Sequence, residues 1–355
     1  MKHVAILSNP TDFHAHAVHE ILERKGAEVT FFSATDFPSN LHLTIRNNES
    51  QSLPASRYSE SPSESNSYSS VWVRRPNRPV IPDFIVREDR NHAIQECERM
   101  RDAYFHTFAT NAFWVNPYHT IHHTENKILQ QQIAMGVDLQ IPDTLFSNDP
   151  KEIRSFLKQY DQVIYKTLTA YNMPTTVITA ADLPPDEILS VTPGIFQPLV
   201  KKAYELRVTV IGQHFFPARI NSQGTTMGEI DWRKDHGKYE VTFDRYELPP
   251  QVKTQCVQLM KQLGIVYGCI DFIVSPAGEY YFLEINQSGQ FLFLEQMMKD
   301  PWPLADAMAE MLLQARPDFD WQEGKNCIQF DADVRLVTQQ RKAASMQKHL
   351  APAPA

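Results

Sequence analysis

The chain has 355 residues, 42% of them hydrophobic, and carries 34 basic against 42 acidic residues for a net charge of −8. That length suggests two or three domains at about 150 residues each, and the acidic balance excludes a general nucleic-acid binder, which needs a basic field against phosphates. No apolar run approaches the ~20 residues of a membrane helix, and four widely spaced cysteines without a CxxC read as reduced thiols of a cytoplasmic protein, not zinc ligands.

Val4–Leu7 reads as a first strand, without the apolar stretch and cleavage site of a signal peptide. Asn9-Pro10-Thr11-Asp12 supplies turn and N-cap chemistry, a helix runs over His16–Arg24 to Gly26, and Val29–Phe32 is the next strand. This alternation predicts a parallel sheet with covering helices. Residues 46–70 are rich in Ser, Asn, Glu and Pro and read as a flexible surface loop. Val71–Val73 is a strand running into Arg74-Arg75-Pro76, a helix covers Arg90–Phe108, and Phe113–Val115 is another strand. Beyond His119 a helix spans Glu125–Gly136 and a strand Thr144–Phe146. A helix capped by Asn148-Asp149-Pro150 runs to Tyr160, and Val163–Lys166 is a strand ending on a lysine. From Ile195 strands dominate: Arg207–Ile211 and His214–Ile220 flank Gly212-Gln213, a hairpin signal. A helix over Val252–Leu263 precedes a second hairpin, Asp271–Val274 and Tyr280–Ile285 around Pro276-Ala277-Gly278. The charged tail, 324–355, ends in Ala-Pro-Ala-Pro-Ala and reads as poorly ordered.

The second hairpin carries the strongest chemical signal. Glu284 and Asn286, two apart, share one face of their strand, and Asp271 faces them if the strands pair through the turn. Two carboxylates and an amide oxygen converging in apolar surroundings suit a hard divalent cation, whereas two buried acids alone repel. An ordinary hairpin with polar ends is the other reading. Lys166, on a strand between apolar neighbours, asks for an anion; Lys127, opening a helix, is either a solvated lysine or a second point charge for polyphosphate. Arg207 and Arg219, on hairpin strands, are either surface ion-pair partners or guanidinium forks for a phosphoryl group. The apolar Gln197–Val200 segment offers backbone groups to an adenine edge, and Glu205 an acceptor for ribose hydroxyls. His14, His16 and His19 near the first helix are assigned no site.

Taken in order, Lys127, Lys166, the Gln197–Val200 hinge, Glu205-Leu206-Arg207, Asp271 and Glu284-Ile285-Asn286 resemble the ATP-grasp superfamily over about residues 1 to 315. Within it the chain is most similar to the graspetide synthetases, the microviridin-type peptide macrocyclases. The matching stretches are Val71–Pro76, Glu125-Asn126-Lys127, Ile141–Leu145 with Ser147–Pro150, and Phe196-Gln197. Further along they are Glu205–Val210, Asp231-Trp232-Arg233, and Glu284-Ile285-Asn286 with Gly289-Gln290. The ribosomal-protein glutamate ligases share the same core.

The resemblance implies an α/β (α+β) ATP-grasp fold: an N-terminal preATP-grasp α/β domain (1–118), a central α+β subdomain (119–194) and a mostly antiparallel C-terminal subdomain with the metal site (195–323). ATP would bind between the last two. Lys127 and Lys166 would contact its phosphates, Gln197 and Val200 read adenine, Glu205 hold the ribose, and Asp271, Glu284 and Asn286 hold two Mg²⁺. The implied reaction phosphorylates Asp or Glu side chains of a ribosomal precursor peptide. The resulting acyl phosphate is joined to Ser or Thr hydroxyls or Lys amines, giving ω-esters or ω-amides. Arg207 is the first choice to stabilise the acyl phosphate and Arg219 the second, with backbone amides near Gly289-Gln290 as an oxyanion site. Arg74 and Arg75 are candidates to contact the acidic core peptide, or a structural ion pair. Residues 170–193 and Asp231-Trp232-Arg233 are candidates to dock a leader segment, with core packing the other reading of Trp232. A homodimer is implied, and neither nucleic acid nor membrane is a partner. The rival readings are an intermolecular ligase that adds an amino acid to a protein or metabolite, and a catalytically silent nucleotide-binding regulator, against which the metal triad and both lysines speak.

Three positions depart from the family pattern. Pro198 stands where the hinge usually has Glu, Cys269 where many ATP-grasp ligases have Arg, and Gln287 where macrocyclases often have Pro.

Overall fold

The apolar first strand and the strands that follow it assemble into a parallel sheet, as the alternation of strands and helices predicts. The computed structural model describes residues 1–33, 35–44, 55–56, 68–76, 78–169, 175–222 and 241–350. β1 (His3–Ser8), α1 (Phe13–Arg24) and β2 (Glu28–Ser33) open the chain, followed by a two-residue ladder of β3 (Leu43–Thr44) and β4 (Ala55–Ser56). β5 (Ser70–Val73), α2 (Arg87–Thr107) and β6 (Phe113–Val115) complete the N-terminal unit, whose sheet runs β2-β1-β5-β6, all parallel. Most of the 46–70 loop expected from the sequence lies outside the described residues.

Asp12 caps α1 by accepting from the His14 and Ala15 N–H groups. Residues His14 to Leu22 are then buried on every side of the helix, because both of its faces are covered. The sheet covers one with Val4, Ile6 and Trp72, and the C-terminal helices cover the other with Leu304, Met308 and Met311.

The central unit holds α3 (Ile121–Glu125), α4 (Lys127–Gly136), β7 (Leu145–Ser147), α5 (Pro150–Leu157), β8 (Val163–Lys166), β9 (Thr176–Ile178), α6 (Asp186–Leu189) and β10 (Gly194–Pro198). Its antiparallel sheet runs β7-β10-β8-β9. The boundary expected at 194/195 therefore needs correcting. β10 pairs with β7 and β8, so the unit extends to Pro198, and residues 199–203 are the connection to the next sheet.

β11 (Tyr204–Ile211), β12 (His214–Asn221), β13 (Thr242–Arg245), α7 (Pro250–Leu263), β14 (Tyr267–Val274) and β15 (Tyr280–Asn286) form the C-terminal unit. Its antiparallel sheet runs β13-β12-β11-β14-β15. One face, with Leu206, Val208, Val210, Ile270, Phe272 and Phe282, packs on Val252, Cys256, Leu259 and Leu263 of α7. α8 (Leu292–Met297), α9 (Leu304–Gln314) and α10 (Ala332–Leu350) close the chain. The expectation of a poorly ordered tail is corrected: α10 docks on α1, burying Val334 and Thr338, with Arg341 on Glu20 at 2.7 Å and on Glu23. Charge complementarity between the two helices orders a segment that its composition alone makes look unstructured. Among the described residues no helix is long and apolar enough to cross a membrane.

Candidate active site

Strand register builds the site. Arg207 on β11 lies opposite Asp271 on β14, and Asp271 lies opposite Glu284 on β15, so the three form one cross-strand row on the face away from α7. Thr209, Cys269 and Asn286 form the next row. Strict alternation along β15 would put Phe282 on the same face as Glu284. A β-bulge beside Asp271 adds one residue to β15, which sends Phe282 into the core while Glu284 stays in the row.

Within the row, Arg207 Nη1 donates to both Asp271 oxygens, at 2.8 and 2.7 Å, and its Nη2 to the Gln290 carbonyl at 3.2 Å. Burial alone would lower the Arg207 pKa; the Asp271 carboxylate outweighs it, and the group is held charged more firmly than an ordinary arginine. Arg207 Nε is buried without a hydrogen-bond partner. Lys127, first residue of α4 behind its Asn126 cap, places Nζ 3.2 Å from Glu284 Oε2.

Gln130 fixes that helix to the hairpin. It accepts from the Ile285 N–H at 3.0 Å and donates to the Ile285 carbonyl at 2.9 Å. Nothing distinguishes it among three consecutive glutamines except its place one turn after Lys127.

The remaining nucleotide-site candidates lie toward the central sheet. Lys166 donates to Gln197 Oε1 at 2.9 Å, and Gln197, itself buried, donates to Thr144 Oγ1 at 2.8 Å. Val200 is half-buried in the connection. Glu205, the second residue of β11, pairs with Lys202, a buried lysine that the sequence does not single out. Pro198 keeps its strand place opposite Val163.

Other candidates land elsewhere. Arg219 pairs in register with Leu206 and so lies on the α7 face, its guanidinium 4.1 Å over the Tyr204 ring; the sheet does not bring it beside Arg207. Arg74 is fully buried, donates to the Ser288 carbonyl and lies 3.6 Å from Asp12, so it supports the loop after β15 and presents nothing to solvent. Arg75 is exposed. Gly289 is needed for close approach: a Cβ there would stand 2.4 Å from Cys269 Sγ and 3.0 Å from Arg207 Nη2. Cys269 is thus a small side chain against which the loop comes close. Gln290 is exposed. Asp231, Trp232, Arg233 and residues 170–174 lie outside the described residues.

The donor set of Asp271, Glu284 and Asn286 fits a hard divalent cation: all oxygens, on adjacent strands and one face. Among the described residues no group of three or more His, Cys, Asp or Glu could hold a metal. Two carboxylates and an amide make an open set, the kind Mg²⁺ completes with water and phosphate oxygens. His16 and His19 are not part of such a set: His16 Nε2 meets the Pro10 carbonyl at 2.9 Å and His19 Nε2 meets Glu23 at 3.1 Å.

The chain resembles known proteins in family and in fold. The family model of the MvdD pre-ATP grasp domain matches residues 3–122. The fold is similar to a Chryseobacterium gregarium RiPP-associated ATP-grasp ligase, solved with ADP and a leader and core peptide: TM-score 0.78, 25% identity, covering 91% of this chain and 100% of that one. It is similar to the macrocyclase MdnC of Microcystis aeruginosa, solved with its precursor peptide MdnA: TM-score 0.77, 30% identity, covering 88% and 99%. The ATP-grasp ligase PsnB, solved with a precursor variant, Mg and ADP, shares the fold at TM-score 0.68 and 24% identity, covering 87% and 98%. No curated protein matches the chain by sequence.

Proposed function

Since the chain belongs to the ATP-grasp ligases of the graspetide type, and is thus an ATP-dependent ligase, we propose that it is a peptide macrocyclase acting on a ribosomally made precursor. The single observation that carries this reading is the Arg207–Asp271–Glu284 row with Lys127 of α4 against its end: two adjacent carboxylates flanked by two cations.

An unactivated carboxylate is a poor electrophile. Transfer of the ATP γ-phosphoryl group to a side-chain Asp or Glu of the peptide gives an acyl phosphate and ADP. A Ser or Thr hydroxyl or Lys amine then attacks the carbonyl carbon, its proton is lost, and phosphate leaves as the ω-ester or ω-amide forms. The protein contributes positioning and charge neutralisation. Asp271, Glu284 and Asn286 would hold a pair of Mg²⁺ ions, which would supply positive charge against the phosphate oxygens of ATP. Lys127 and Lys166 bind phosphate oxygens, Lys166 oriented by Gln197; Val200 and Glu205 take the nucleoside. Arg207 neutralises the acyl phosphate, and the Gln290 N–H serves the developing oxyanion.

Arg75, exposed beside buried Arg74, meets the acidic core of the peptide. A leader segment docks toward residues 175–193, where Ile188 and Val191 are 49% and 73% exposed, with Asp231-Trp232-Arg233 as a second docking candidate. A second copy of the chain packs on the apolar Val80, Phe84 and Val86 to make a homodimer, and the enzyme works in the cytoplasm.

Hydroxylamine in the assay tests the reading, because it intercepts acyl phosphates. The expected result is peptide hydroxamate at Asp or Glu side chains, formed with ADP and absent in Arg207→Leu. ADP formation without any hydroxamate or ring closure would contradict it.

A further inference from the structure

The loop after the acidic hairpin, Gln287 to Leu292, is tied down group by group. Its first four carbonyls are each taken: Gln287 by Asn116 Nδ2 at 3.2 Å, Ser288 by Arg74, Gly289 by the Tyr267 hydroxyl at 2.6 Å, and Gln290 by Arg207 at 3.2 Å. Two consecutive amides, Phe291 and Leu292, both donate to one acceptor, the Nε2 of His14, at 3.1 and 3.2 Å. His14 belongs to the first turn of α1 in the N-terminal unit, 277 residues earlier in the chain.

Accepting two N–H groups at Nε2 requires a neutral ring with its proton on Nδ1. The surroundings impose that state. His14 is buried, stacked edge-on against the Phe291 ring at 5.0 Å, and its Nδ1 lies 3.7 Å from Asp12 Oδ1, the side on which a carboxylate favours N–H. Burial first, then the nearby Arg74 cation, pushes its pKa down to about 3, with Asp12 acting in the opposite direction and Arg75 and Arg207 adding to the fall.

Peptide planarity gives the loop a consequence at the reaction centre. The Gly289 carbonyl points at Tyr267, so the Gln290 N–H of the same trans peptide points the opposite way. That N–H makes no hydrogen bond among the described residues, and Gln290 is exposed. The next carbonyl, of Gln290, is bound to Arg207, and the two amides after it are held by His14.

We infer that His14 is a positioning residue for the ligase reaction: the N-terminal unit, through the His14 ring backed by Asp12 and Arg74, sets the aim of the Gln290 N–H and of Arg207. The inference rests on the function proposed above. It gives the N-terminal unit a part in the chemical step, in addition to any role in holding peptide.

The test uses the full chain with Mg²⁺-ATP and a synthetic peptide rich in Thr, Asp and Glu, comparing His14→Ala, which removes the acceptor, with His14→Gln, whose Oε1 replaces it. Steady-state ADP formation and melting temperature are measured together. His14→Ala is expected to lose about 10²-fold in kcat, the scale of an ångström-size misplacement, with KM for ATP changed less than about threefold. His14→Gln is expected to recover most of that loss at a melting temperature no higher than that of His14→Ala. Wild-type turnover with an unchanged kcat in His14→Ala, or equal losses in both variants, overturns this inference alone. A folded wild-type protein that never turns over ATP overturns the proposed function and this inference together.

Discussion

The two faces of the C-terminal sheet use the same strands for opposite ends. On β11, Leu206, Val208 and Val210 face α7 and are dry, whereas Glu205, Arg207 and Thr209 face the other way. An arginine sits on each side of the β11–β12 hairpin, and they have different lives. Arg207 is clamped to Asp271 and the Gln290 carbonyl, while Arg219 lies flat over Tyr204 at the rim of the apolar face. Residue type alone does not separate them; register does. Under the proposed function, an arginine of this sheet acts in the chemistry only if the ladder turns it toward the acidic hairpin.

The largest effect that would break this comparison comes from Arg207→Leu, expected to lower kcat about 10³-fold or more if the guanidinium neutralises the transferring phosphoryl group. Arg219→Leu is expected to stay within about threefold of wild type, since a partly exposed cation–π contact contributes only about 0.5–1 kcal/mol. Similar losses in both would erase the distinction between the faces. Arg207→Leu also removes the cation beside the half-buried Asp271, so its melting temperature should fall.

Gly289→Ala sharpens the same contrast on the loop that touches Arg207. The new Cβ would stand 2.4 Å from Cys269 Sγ and 2.5 Å from its Cβ, so the loop must move. A loss of about 10-fold or more in kcat is expected, partly relieved when Cys269→Gly is added; an unchanged rate would show that the loop's position is irrelevant.

Lys166→Met, by contrast, acts at the central sheet and should appear mainly as weaker ATP binding. The KM for ATP should rise about 10-fold, with Gln197→Leu a milder version of the same change.

The smallest effect concerns acid stability. His14 and His19 titrate near 3 and 4 in the folded chain, lowered first by burial and then by Arg74 and Arg341 respectively, against 6.5 unfolded. Between those values the unfolded chain binds more protons, so their contribution to stability is complete above about pH 6.5 and is lost as pH falls toward 3. Urea midpoints measured across that range should fall less steeply in His14→Gln than in wild type.

Much of this was legible in the sequence. Alternation alone placed Glu284 and Asn286 on one face, and the apolar neighbours of Lys166 marked it as unusual. The hairpin signal at Gly212-Gln213 held more than was drawn from it. A two-residue turn pairs Ile211 with His214, which sets Arg207 against Ala218 and turns Arg219 to the opposite face.

Other features were out of reach for physical reasons. The bulge that frees Glu284 from the face of Phe282 leaves no residue signature. Nor could periodicity bring His14 to Phe291, or Arg74 to Ser288, because those contacts depend on how the N-terminal unit seats against the loop. α10 was missed because its own composition is polar and its order comes from the acidic residues of α1.

The most direct measurement is the mass of the precursor peptide after incubation with enzyme, ATP and Mg²⁺. The account predicts the loss of one water for each bond formed, abolished by Glu284→Ala. A peptide that instead gains the mass of added amino acids, or the same loss of water from Glu284→Ala, would contradict it.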